Sequence, residues 1–237
     1  MDPELSRLVD AATSVSTTGR WAAVNTKIGY LAANASGDNA WHGQLIASLC
    51  FHVFSEYLLL KYAYEKSPEE NSSILAWRAR NLLELSVWCM YCSKSNVYAK
   101  NLYEDATRDR LGLLDAFSKW GTATEQAPDF VDRFADAKQN LSARARSKGI
   151  ESPGREYKKV SEAAKECGYR DHFRLSYTML SKYAHPTAMR IMASPDAESN
   201  SVECDLFFSQ GCLFFTDAFR FLEGWLERET GELLRIV

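Results

Sequence analysis

Apolar residues recur at spacings of three and four along nearly the whole chain, which predicts helices with an inward face. The polar and glycine-bearing breaks then divide the chain. A first helical region is expected over 3–33, interrupted near 16–19, where Ser-Thr-Thr-Gly stands. A turn at 36–39 precedes a long helix reaching about Glu65. Ser67, Pro68, Glu69 and Glu70 supply an N-cap, a first-position proline and first-turn acids for the next helix, which ends near 94–96. Helices follow over about 97–120, with a stop at Gly121, and over about 128–148. The stretch 146–159 is the clearest loop. A short helix over 157–167 ends at Gly168, and another runs over 171–185, stopped by Pro186. A short helical piece to Met192 and a loop over 193–201 lead to a last helix, from Cys204 or Asp205 to about Leu234.

Two helices depart from the one-sided pattern. Those over 39–65 and 74–93 have no clean polar side, so they are expected in the centre of the bundle. The last helix has the outer type of pattern. Phe207, Phe208, Phe214, Phe215, Phe219, Leu222, Trp225 and Leu226 fill one half; Ser209, Thr216, Arg220, Glu223 and Glu227 fill the other. With no repeat and no separating linker, the expectation is all-α: one multi-helix bundle over 1–237, with region 1–36 packed on it.

Composition adds limits. The net charge of −3 gives no sign of a globally basic nucleic-acid binder. The six cysteines mostly fall in apolar helical patterns, as reduced buried thiols do. The start lacks the basic-then-apolar order of a signal peptide. Segment 45–64 is broken by His52, Ser55, Glu56 and Lys61, so a core helix is expected rather than a membrane span, and a cytoplasmic protein.

Polar pairs inside the apolar helices carry the candidate chemistry. His52 and Glu56 stand at i, i+4 on one central helix, Arg80 and Glu84 on the other. A charge in that setting must be paired, hydrogen-bonded or open to a cavity. The segment LSKYAHPTA, 180–188, places His185 at a helix C-terminus, where an imidazole near neutral pH can exchange a proton. Arg174, Thr178, Ser181 and His185 form one polar stripe, with Lys182 beside it; Phe173, Tyr177, Leu180, Tyr183 and Ala184 form the apolar face.

RNLLE at 80–84, followed about a hundred residues later by LSKYAHP, resembles an uncharacterised family of all-helical bacterial proteins. The chain is also similar to HEPN domains, helical bundles that often act as metal-independent ribonucleases in toxin and defence systems. That similarity implies a HEPN-like bundle, possible RNA or nucleotide ligands and a homodimer. It departs from the HEPN pattern of an arginine separated from the histidine by four to six residues: Thr178, Met179 and Leu180 stand at those places, and the nearest upstream arginine is Arg174.

Two functions are therefore open. In RNA cleavage, His185 transfers the proton, Arg80 holds the phosphate and Glu84 orients Arg80. Ser181, Lys182, Tyr183 and Arg174 would bind, and Arg144, Arg146, Lys148, Arg155, Lys158 and Lys159 would guide the RNA. The alternative is a non-catalytic bundle that binds a nucleotide or anion, or another protein. No cofactor and no metal are expected. Carboxylate-bridged di-iron bundles need two Glu-x-x-His motifs, and Cys89 and Cys92 lie mid-helix with no second pair.

Overall fold

The computed structural model describes residues 2–35, 40–66, 72–124, 128–147, 157–185, 187, 192 and 197–231, and these are helical nearly throughout. The helices are α1 (Pro3–Thr17), α2 (Arg20–Asn34), α3 (Ala40–Lys66), α4 (Ser72–Lys94), α5 (Asn96–Ala123), α6 (Pro128–Ser147), α7 (Val160–Glu166), α8 (Arg170–Ala184) and α9 (Ala197–Thr230). The expected turn at 36–39, the capping segment 67–70, Lys148 and Arg155, and most of the piece after Pro186 lie outside the described residues.

Local chemistry sets several boundaries. Asp2 accepts the Glu4 amide at 2.8 Å, and Pro3 occupies the first turn of α1. Gly19 has φ of 78°, a left-handed conformation that lets the chain turn from α1 into α2 without a Cβ penalty. α5 continues through Gly121 to Ala123, because a single helical glycine costs only about 1 kcal/mol. His185 is extended, with φ −113° and ψ 154°, as a residue before proline should be.

Two compact units share the chain, 1–96 with 159–237, and 97–158. In the larger unit, α4 packs against α9, α3, α8 and α7, while α1 and α2 pack against α9. α4 buries Leu75, Leu82, Leu83, Val87, Tyr91 and both of its cysteines. Arg20 grips the Glu223 carboxylate with two hydrogen bonds of 2.8 and 2.9 Å, fixing the start of α2 on α9.

α9 is more central than its pattern predicts and begins at Ala197, earlier than expected. Ser209 and Thr216, assigned to its outer half, are buried. Their hydroxyls donate to the carbonyls of Asp205 and Cys212 at 2.7 and 2.9 Å, so the helix itself satisfies them. Phe215 stacks on Tyr57 with ring centres 4.0 Å apart, beside Trp21. A side chain at Gly211 would collide with Leu60, which accounts for the close approach of α9 to α3.

α3, by contrast, is half open. Phe51, Leu58, Leu59 and Tyr62 are exposed. By length and composition alone α3 could cross a membrane. Burial pushes the Cys50 and Cys212 thiols up to about 12, and those of Cys89 and Cys92 also well up. The Cys89–Cys92 pair is buried in α4.

In the smaller unit, Phe117 of α5 stacks on Phe134 of α6 at 5.5 Å, and Lys138 pairs with Asp115 at 2.6 Å. Asp105 accepts the Lys158 amide at 2.8 Å, and Arg108 lies over the Tyr157 ring. Arg144 and Arg146 are exposed on α6.

Candidate functional site

α4 and α8 bring Arg80, Glu84 and His185 together. Arg80 lies one turn before Glu84, and its Nε donates to the Glu84 carboxylate at 3.2 Å. Its Nη1 lies 2.6 Å from His185 Nε2. Guanidinium only donates, so Nε2 is the acceptor in this contact. Its Nη2 donates to the Tyr177 hydroxyl at 2.6 Å, and the guanidinium carbon lies 4.5 Å from the centre of that ring. Three of the five N–H groups are thereby engaged. One remains on each terminal nitrogen, the complement a phosphate takes bidentately.

The Arg80 side chain is mostly covered, at 19% exposure, whereas His185 is exposed. The cluster is therefore anchored from beneath and open at the imidazole. Ser181 lies one turn from both Tyr177 and His185. Its Oγ is buried and has no hydrogen-bond partner among the described residues.

The other expected residues divide. Lys182 is exposed beside the stripe. Tyr183 meets Phe207 of α9 at 4.8 Å, on the core side of α8 rather than at Arg80. Arg174 lines an open groove of about 700 Å³ between α7 and α8, together with Tyr177 and Thr178. His52 is exposed against Phe51 and does not pair with Glu56. Glu56 instead accepts from Arg78 at 3.0 and 3.2 Å and from Asn81 at 3.0 Å, tying α3 to α4.

The model of a family of unknown function, DUF5677, matches residues 56–201, more than half of the chain. The chain belongs to this family. The matched span holds every member of the Arg80 cluster. No curated protein and no solved structure matches the chain.

Within this DUF5677 chain, Tyr177 and Arg78 were not expected at polar sites. Tyr177 counts as apolar in a periodicity reading, yet its hydroxyl is one turn from Ser181 and two from His185, and that spacing is the available signal. Arg78 contacts a different helix, which an i, i+4 search along α4 cannot find.

A second charged cluster joins α8 to α9. Asp217 faces Arg220 at 3.5 Å, with His172 and Tyr169 nearby. Burial raises its carboxyl above the usual range, and Arg220, His172 and Tyr169 draw it partly back. A raised carboxyl favours folding below its unfolded value, and that contribution is lost as pH rises through the folded value. Asp217→Asn is accordingly expected to raise the melting temperature more at pH 7 than at pH 3. Circular dichroism melts at both pH values check this; an equal shift at both would remove the carboxyl as its cause.

Proposed function

We propose that the Arg80–Tyr177–His185 cluster binds the RNA backbone and cleaves it without metal, in a HEPN-like protein of bacterial defence or toxin type. The reading is carried by one observation: the exposed imidazole, its Nε2 lone pair held 2.6 Å from an anchored arginine. Arg80 comes from α4 and takes the place of the arginine that the HEPN spacing would put at 178–180 on α8.

The phosphate is held by the two remaining N–H groups, and the substrate's 2′-hydroxyl replaces Arg80 Nη1 as the partner of His185 Nε2. The freed Nε2 takes the 2′-hydroxyl proton as O2′ attacks phosphorus. Arg80 stabilises the charge growing on the non-bridging oxygens. The bond to the 5′-oxygen breaks, that oxygen takes a proton from water, His185 returns the proton it took to the hydroxide left behind, and the products are a 2′,3′-cyclic phosphate and a 5′-hydroxyl. Glu84 and Tyr177 hold the guanidinium in place throughout.

A labelled single-stranded RNA incubated with the protein in EDTA provides the test. Cleavage to cyclic-phosphate ends is expected, falling about 10²–10⁴-fold in His185→Ala. Cleavage unchanged in that variant overturns the assignment. The alternative is a non-catalytic nucleotide- or anion-binding bundle, favoured by the threefold anchoring of Arg80, which suits a rigid clamp. Retention of RNA or nucleotide without cleavage selects it.

A further inference from the structure

The groove between α7 and α8 opens beside the Arg80 cluster and shares Tyr177 with it. Its charge is unlike that of the whole chain. Lys159, Lys165, Arg170 and Arg174 line it against one acid, Glu162, on a protein whose net charge is −3. Lys165, Arg170 and Arg174 are exposed, and none of the three forms a salt bridge with another described residue. Cations with no salt-bridge partner among the described residues, set along a groove of about 700 Å³, match a ligand with repeated negative charge better than a single small anion.

Resting on the RNA reading above, we propose that this groove is the backbone track for the RNA strand flanking the phosphate at Arg80. Recognition there is by charge. Phe173 is buried, and the Tyr177 ring is already packed at 5.1 Å on Phe173 and 4.5 Å on Arg80, so neither is a free platform for a base. A track of lysines and arginines without a stacking platform reads phosphates and is indifferent to sequence. The groove supplies affinity and register, while the chemistry remains at His185.

The test uses the full chain and a fluorescent 12-nucleotide 2′-O-methyl RNA, which lacks the attacking hydroxyl and is not cleaved. Anisotropy titrations across a series of KCl concentrations compare wild type with the combined variant Lys165→Glu, Arg170→Glu, Arg174→Glu. A second variant with glutamine at the same positions guards against misfolding by charge reversal. Wild-type affinity is expected to fall with salt and to be similar for uridine and cytidine oligomers. Both variants should bind at least about 10-fold more weakly, with a log–log salt slope smaller by about 2, since each single-strand phosphate contact contributes about 0.7.

Wild-type affinity in either folded variant overturns the track. If His185→Ala abolishes cleavage while the groove variants bind normally, the track alone fails. If the groove variants lose binding while His185→Ala cleaves normally, the track stands and the role of His185 fails. If wild type binds no RNA, both readings fall. Tighter groove-dependent binding of a poly-glutamate peptide than of RNA overturns the RNA assignment in favour of an acidic protein partner.

Discussion

Replacing Arg80 with lysine is expected to lower RNA cleavage by about 10²–10³-fold while leaving the fold intact, although the positive charge is kept. Lysine presents a point charge with three rotatable donors. It cannot reach Glu84, His185 and Tyr177 together and still offer two N–H groups to a phosphate. The partners of Arg80 lie on two helices: Glu84 on α4, Tyr177 and His185 on α8. Only a planar fork spans that arrangement. The loss should appear in kcat more than in KM, because the interaction strengthens as charge develops on the phosphoryl oxygens. Single-turnover cleavage of labelled RNA measures it, with thermal melts run in parallel. A lysine variant as active as wild type would reduce Arg80 to a diffuse positive charge.

Phe215→Ala is expected to destabilise the larger unit by about 3–5 kcal/mol, the largest effect of any single substitution considered. Phe215 is fully buried, stacked on Tyr57 at 4.0 Å and flanked by Trp21 at 5.5 Å and Phe54 at 6.4 Å. Its ring joins α9 to α2 and α3, so truncation leaves a cavity bounded by three helices that cannot all relax inward. The melting temperature should fall by about 6–20 °C for a protein of this size. Denaturant titration with an unchanged m-value would assign the loss to stability alone. A change below about 1 kcal/mol would mean that the neighbouring rings close over the gap.

The exposed side of α3 bears on what else the larger unit does. Phe51, Leu58 and Tyr62 recur at helical spacing and are open, whereas Val53, Tyr57 and Leu60 on the opposite side are buried. A helix uniform in sequence is thus divided by its neighbours into a core face and an open face.

Much of the fold was legible in the residues. Periodicity marked the helices, and Gly19, Gly168 and Pro186 marked three of their ends, because backbone conformation and hydrophobic spacing are local properties. The same locality placed Arg80 and Glu84 on one face of α4 and Ser181 and His185 on one face of α8. It could not rank the helices by depth. α9 carries serine and threonine on its supposed outer side, but each hydroxyl bonds its own backbone and is buried at little cost, whereas apolar α3 is left half open. Nor could it pair partners across helices: Arg78 with Glu56 and Arg80 with Tyr177 were not expected, and Arg80 and His185 were expected in one site without a stated contact. The sequence by itself determined an all-helical chain and the polar groups available within it. The tertiary structure alone decided which of those groups meet, because a contact between residues about a hundred positions apart depends on how helices pack, and packing is settled by the whole core at once.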